Sequence, residues 1–274
     1  MDAMNGASKL AMRNLAKSFP LANGDRAIAV QDFSLDVREG EFMVLVGPSG
    51  CGKTTVLNML AGLESPTSGT LTLDGRAIDG PGAERGVMFQ DYALFPWRTV
   101  RDNVAFGLRF GPAGKGMSNA QRDERVTRYL DLVHLTQAQE KYPHQLSGGM
   151  RQRVALARLM ANEPSILLMD EPLAALDAQT RLVLQDELLR IWGQDRPARE
   201  RRTVVFITHA IDEAVFLADR VAVMTSHPGR LKTVIDVPLA RPRNDATRVL
   251  PEFQALGQEI WNLIRAEAVR ATMT

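Results

Sequence analysis

The residues best suited to chemistry begin with Gly47-Pro48-Ser49-Gly50-Cys51-Gly52-Lys53-Thr54. This stretch lies between the apolar run Phe42-Met43-Val44-Leu45-Val46 and the helix-like Thr55-Val56-Leu57-Asn58-Met59-Leu60-Ala61. Glycines open backbone conformations closed to other residues, so successive N–H groups can turn inward around an anion. The helix behind aims its partially positive end at the same spot. Lys53 adds a charge that can reach outer phosphates, and the Thr54 hydroxyl can sit on Mg²⁺. A strand, a glycine loop and a helix in that order make a phosphate loop, so the chain is expected to bind a nucleoside triphosphate.

Ile166-Leu167-Leu168-Met169-Asp170-Glu171-Pro172 reads as a strand covered on both faces that ends in two carboxylates. Sites form at this edge of α/β sheets. Alternation sends the two acids opposite ways, which suits Asp170 to hold Mg²⁺ through water and Glu171 to polarise an attacking water. His209 follows another apolar run, Thr203 to Thr208, and is the histidine at a strand's C-terminal end; His134, His144 and His227 fall in helical or loop settings. Leu146-Ser147-Gly148-Gly149 opens a further helix. Ser147 suits a plain N-cap. Two glycines after a cap weaken a helix, which makes sense where another body approaches the backbone. A helix start with exposed N–H groups is also a second anion site. Phe19 lies near the end of an early β segment, where stacking on adenine and packing in a β core are both open.

The elements that must carry these residues follow from periodicity. Short β segments are expected around Leu10 to Phe19, Phe33 to Val37 and Phe42 to Val46, with a turn over Pro20 to Asp25. Thr70 to Leu73 reads as a strand ending in the hairpin signal Asp74-Gly75. Gly86 to Phe89 is a buried strand that delivers Gln90 and then Asp91-Tyr92-Ala93-Leu94-Phe95-Pro96-Trp97. Those aromatics suit either core packing or a docking surface. From Val100 to Ala161 the pattern turns helical: Asp102 to Phe110, a flexible loop over Gly111 to Gly116, then a helix capped by Ser118 with Gln121 and striped by Val126, Leu130 and Val133. Four helical elements without a strand between them point to an inserted helical lobe. Val221 to Met224 and Val234 to Val237 are the last strands, and Phe253, Leu256, Ile260 and Leu263 stripe a C-terminal helix.

Composition narrows the classes. The chain has 274 residues, 45% of them hydrophobic, which suits one large α/β domain with a satellite lobe. A formal charge of +1 gives no global field for nucleic acid or an acidic membrane surface. Cys51 is the single cysteine, which excludes an internal disulfide and fits the cytosol. Met1 to Gly6 lacks the marks of a signal peptide, and no apolar run approaches the roughly 18 residues that span a bilayer. A membrane role is therefore expected to come through a partner.

With these motifs in order, the chain resembles the ATP-binding subunit of an ABC transporter from Leu10 to about Val237. The likeness rests on Gly47 to Thr54, Gln90, Leu146 to Gly149 ahead of Gln152, Leu167 to Glu171, Ala175-Leu176-Asp177 and His209. Phe89 to Trp97, Gly149-Met150-Arg151-Gln152-Arg153, Asp212-Glu213-Ala214 and His227-Pro228-Gly229-Arg230 are similar to the importer group for nitrate, sulfonates and taurine. Ala210, Leu173-Ala174 and the longer, basic stretch 193–202 depart from that pattern. The resemblance implies an α/β P-loop NTPase fold with a mixed, largely parallel core, an N-terminal antiparallel β subdomain and an inserted helical subdomain. It makes 1–274 a single ABC ATPase domain. Segments 8–90 and 162–240 would form a RecA-like core with the antiparallel part, 91–161 the helical subdomain and 241–274 a C-terminal helical extension.

The resemblance further implies that two copies sandwich two ATP molecules head to tail. ATP with Mg²⁺ would meet Phe19, Gly47, Pro48, Ser49, Gly50, Cys51, Gly52, Lys53, Thr54, Thr55 and Gln90 of one copy. Ser147, Gly148, Gly149, Gln152 and Asp177 would come from the other. Thr54, Gln90 and Asp170 would hold the metal, Glu171 would be the general base, His209 would hold the γ-phosphate, and Lys53 would complete the catalytic set. Implied partners are a second copy, a membrane permease reached through Tyr92 to Trp97 and, indirectly, a periplasmic or extracellular solute-binding protein, with no nucleic acid. The implied location is peripheral, on the cytoplasmic face of a bacterial-type plasma membrane. A soluble ABC-type ATPase acting on ribosomes or DNA is the alternative. Ribosome-acting members carry tandem cassettes and DNA-acting ones a coiled coil, and this chain has neither.

Overall fold

The structure is a computed structural model that describes residues 8–272; Met1 to Gly6, read above as carrying no leader, lies outside them. In chain order the strands are β1 (Ser8–Pro20), β2 (Arg26–Arg38), β3 (Phe42–Val46), β4 (Ser68–Leu73), β5 (Arg76–Ala77), β6 (Arg85–Met88), β7 (Ile166–Asp170), β8 (Thr203–Ile207), β9 (Arg220–Met224) and β10 (Leu231–Asp236). The α-helices are α1 (Lys53–Ala61), α2 (Val100–Phe110), α3 (Asn119–Leu132), α4 (Gly148–Ala161), α5 (Ala178–Trp192), α6 (Ile211–Leu217), α7 (Asp245–Arg248) and α8 (Pro251–Thr272).

Two sheets result. One is antiparallel with the order β2-β1-β4-β5. The other runs β10-β9-β3-β8-β7-β6 and is parallel except for β10, which pairs antiparallel with β9. The parallel strands read as unbroken apolar runs because both their faces are covered. Side-chain alternation divides them between two cores. Met43, Leu45, Ile166, Leu168, Val205 and Ile207 face α1 and the antiparallel sheet. Phe42, Val44, Leu167, Met169, Val204 and Phe206 face the other helices. α1 is thus wedged between two sheets, burying Val56, Leu57, Met59, Leu60 and Ala61. Burial of each such side chain stabilises by roughly 1.5–3 kcal/mol, which fixes the loop that leads into this helix.

Between β6 and β7 the described chain forms α2, α3, α4 and three short 3₁₀ turns, with no strand. The Ser118–Gln121 capping box is formed in both directions. Two expectations change. The second strand covers Arg26–Arg38 because it pairs along the whole of β1. The segment expected as a flexible loop is tight: Pro112–Gly114 forms a 3₁₀ turn, and a Cβ on the buried Gly114 would sit 1.7 Å from the Leu108 carbonyl oxygen. The basic stretch 193–202 folds against α5, where Arg201 and Arg241 cover the Trp192 ring at 4.8 and 4.5 Å.

Candidate functional site

The phosphate loop follows the fully buried β3 and turns at Gly50 (φ 76°) and Gly52 (φ 91°). At Gly52 a Cβ would also meet the Ala29 carbonyl oxygen at 2.8 Å, so only glycine fits. No side chain caps the N-terminus of α1, which leaves its first N–H groups for an anion. Lys53 folds into the loop, donating from Nζ to the carbonyls of Gly47 (2.9 Å) and Pro48 (3.0 Å). Gly47 is buried, Pro48 half-buried, and Ser49, Gly50 and Thr54 are exposed. Cys51 is different. Its side chain is fully buried in the core with Val30 and Val56, and burial pushes the thiol up from its ordinary range. Only its backbone can face a phosphate.

Asp170 belongs to the face of β7 that looks at α1, and it is hydrogen-bonded to the Thr54 side chain. Burial raises its carboxyl above the ordinary value, against the lowering effect of Thr54. Glu171 leaves the strand with φ 45°, a left-handed conformation that costs a non-glycine residue and marks sites under functional constraint. Its N–H donates to the Ile207 carbonyl at 3.1 Å, and its carboxylate lies 3.2 Å from Nδ1 of His209. The pairing of Asp170 with Ile207 in β8 brings Glu171 and His209 to the same edge. Met88 pairs with Met169, so the exposed Gln90 arrives abreast of Glu171. Thr54, Asp170, Glu171, His209 and Gln90 therefore share one end of the parallel sheet.

Phe19 settles between its two readings. It is half-buried, with the Lys17 ammonium 5.0 Å from its ring, and it pairs with Ala27, two residues before the Ala29 that backs Gly52. Thr55 is half-buried at the start of α1.

Ser147 is the exposed N-cap of α4, and its Oγ accepts from the Met150 N–H at 3.3 Å. That leaves the hydroxyl proton free to donate outward. The two glycines differ. A Cβ on Gly149 would press on the Thr180 methyl at 2.9 Å, so its own chain accounts for it. A Cβ on Gly148 would meet only Leu176 at 3.7 Å, an ordinary contact. Asp177 caps α5 by accepting from the Thr180 N–H at 2.9 Å, which holds its exposed carboxyl below the ordinary value. Gln152, expected to reach the pocket from a second copy, is 5% exposed in this chain and lines a small cavity with Met88, Leu156 and Met169. A contact with another chain's nucleotide would require it to leave that setting. α4 packs on α2, α3 and β6, whereas α1 packs on β2, β6, β7 and β8.

The aromatic run divides as well. Tyr92 is buried and belongs to the core, so it is not part of a docking surface. Phe95 packs on Phe106 at 4.4 Å, and Trp97 is 71% exposed. With Phe89, Phe106 and Ala113, Phe95 borders a groove of ≈ 520 Å³ between β6 and α2, and the Trp97 ring stands 5.8 Å from that of Phe95. Arg158 and Asn103, which periodicity did not single out, hold this loop. Arg158 donates to the carbonyls of Tyr92 and Ala93 at 2.6 Å, and Asn103 both accepts from the Phe95 N–H and donates to its carbonyl. Nothing in their local sequence marks them, because their partners lie on a separate segment.

The ABC transporter family profile matches residues 30–174. The chain is 49% identical over 263 residues to an uncharacterized ABC transporter ATP-binding protein of Methanocaldococcus jannaschii, covering 96% of this chain and 94% of that one. It is 46% identical over 259 residues to a taurine import ATP-binding protein of Roseobacter denitrificans (93% of each). To a nitrate import ATP-binding protein of Synechococcus elongatus it is 47% identical over 230 residues (84% and 81%). Among solved structures, a dimeric ATP-binding cassette in a post-hydrolysis state with ADP and Pi superimposes with a TM-score of 0.72 at 31% identity. That match covers 83% of this chain and 98% of the other.

Proposed function

Because the chain belongs to the ABC transporter family as an ATP-hydrolysing, ATP-binding subunit of the nitrate and taurine import type, we propose that two copies drive import of a small anionic solute through a membrane permease. The solute class is that of nitrate, a sulfonate or taurine, and a binding protein outside the membrane delivers it. The subunit sits peripherally on the cytoplasmic face; among the described residues no helix is long and apolar enough to cross a bilayer. The groove bordered by Phe89 and Phe95, with the exposed Trp97 beside Phe95, is the face offered to the permease.

The chain works as one domain, with 8–90 and 162–240 as its core, 91–161 as the helical lobe and 241–274 as an extension. Lys53 exchanges its carbonyl partners for phosphate oxygens, and the uncapped start of α1 adds N–H donors. The backbone of Gly47 to Gly52 lines the phosphates, with Thr55 beside them and Phe19 against the base. The Thr54 hydroxyl, the Asp170 carboxyl and Gln90 suit Mg²⁺, which is held by few protein oxygens beside phosphates and water. When bound, the ion neutralises charge on the β- and γ-phosphates. Glu171 takes the proton of the attacking water and His209 holds the γ-phosphate side of the site. Ser147, Gly148 and Gly149 of the second copy close the pocket with a hydroxyl and N–H donors, and its Asp177 adjoins them.

The observation that carries the two-copy reading is Gly148: just behind the exposed Ser147 cap the helix keeps a half-buried glycine that nothing in its own chain demands. Glu171→Gln should retain ATP, lose about 10²–10⁴-fold in turnover, and accumulate as a dimer by light scattering only when ATP is present. Near-normal turnover, or ATP-loaded single chains, would remove this reading.

A further inference from the structure

His209 is exposed, and Glu171 is the side chain that its ring contacts. What holds it is its peptide. The Ala210 N–H donates to Thr208 Oγ1 at 3.0 Å, so one hydroxyl ties down the residues on either side of the histidine. Having accepted that bond, the Thr208 hydroxyl gives its own proton to the buried Glu213 carboxyl. Glu213 also accepts from Gln185 Nε2 at 3.2 Å, and the Gln185 carbonyl accepts from Arg248 Nη1 at 2.9 Å. Each link in this series joins a donor to an acceptor, while Arg248 Nε makes no hydrogen bond and lies 3.6 Å from the Asp245 carboxylate.

Arg248 lies beyond the sheets, in α7. Its guanidinium stacks 3.4 Å from the centre of the Phe216 ring and pairs with Asp186 at 3.3 Å. The same segment grips the far end of α6. Arg243, 2% exposed, donates to the carbonyls of Val215, Phe216 and Ala218 at 3.1, 3.0 and 2.7 Å. The far end of the helix that starts just after His209 is thus held by Arg243 and Arg248 directly, and its first turn is tied to Arg248 through Gln185.

We propose that Arg248 is a positioning residue for His209, acting through Gln185, Glu213 and Thr208, so that the C-terminal extension sets the geometry of the hydrolytic edge. This rests on the role given to His209 above. The rival is a plain staple, in which Arg248 only fastens α7 to α5.

The test uses the full chain with Arg248→Ala, His209→Ala and the double variant, reading single-turnover ATP hydrolysis, ATP affinity and hydrogen exchange of the Ala210 amide. Arg248→Ala should cut hydrolysis by about 10- to 100-fold, with ATP affinity changed by no more than about twofold. It should speed Ala210 exchange and cost nothing further in the His209→Ala background. Equal losses in both backgrounds, or unchanged Ala210 exchange, would overturn the proposal. A fully active His209→Ala would overturn the role of His209 itself, while the exchange measurement still reports the link. If Arg248→Ala does not fold, Arg248→Lys keeps the charge, cannot fork between Gln185 and Asp186, and should show both effects in weaker form.

Discussion

Two helix N-termini in this chain carry glycines, and they are built on opposite terms. At α1 the glycines serve the chain itself: Gly52 needs its left-handed backbone and backs directly onto Ala29, while Lys53 fills the loop and α1 lies between two sheets. At α4 the helix starts from a conventional, exposed Ser147 cap, and the half-buried Gly148 meets nothing that forbids a methyl group. A glycine that the fold demands and one that it merely tolerates ask different questions. The first is answered by local strain; the second points to something outside the chain.

Substitution separates the two. Gly52→Ala should destabilise the fold by roughly 1–3 kcal/mol, from a left-handed alanine pressed on a backbone oxygen, and should lose ATP binding with it; a thermal melt and a nucleotide titration read both. Gly148→Ala should leave the melting midpoint unchanged or slightly raised, yet lower ATPase turnover on the order of tenfold or more. Equal damage from both, or none from Gly148→Ala, would erase the contrast.

A smaller effect tests the metal side of the loop. Burial raises the Asp170 carboxyl above its ordinary value of 3.8, so the native fold binds that proton more tightly than the unfolded chain does. The ionised form at neutral pH therefore opposes folding, and stability from this group is lost as pH rises through its native pKa. Asp170→Asn should raise the melting midpoint at pH 7 while removing Mg²⁺-dependent hydrolysis, and the gain should fade as pH falls below the ordinary carboxylate range. A lower midpoint at pH 7 would mean that Asp170 is retained for the fold.

Much of this site was legible because local rules govern it. Gly47 to Thr54 announces itself through strand, glycine and helix signals, and the adjacent acids fall where the apolar run of β7 ends, Asp170 as its last residue and Glu171 just past it in a left-handed turn. The family follows from those motifs, and the ABC transporter match and the import relatives bear it out. What escaped was set by tertiary contact. The burial of Cys51 and Gln152 depends on elements that pack over them from elsewhere in the chain. Tyr92 looks like any aromatic in an exposed run until Arg158, far along the chain, pins its carbonyl. α6 is short and carries no side-chain cap, so periodicity could not find it, and the arginines that touch it come from residue 243, through its carbonyls, and residue 248, over the Phe216 ring.

The central claim is that one chain holds half of each catalytic pocket and a second copy supplies the rest. Complementation tests it most directly. Lys53→Ala chains lack the phosphate charge and Ser147→Arg chains lack the closing tip, so each alone should be inactive. In a mixture, the head-to-tail pair contains one pocket built from the intact Lys53 of one copy and the intact Ser147 of the other. ATP hydrolysis should reappear on mixing and scale with the fraction of mixed pairs. A mixture as inactive as its components, or a Ser147→Arg chain that hydrolyses ATP by itself, would contradict the account.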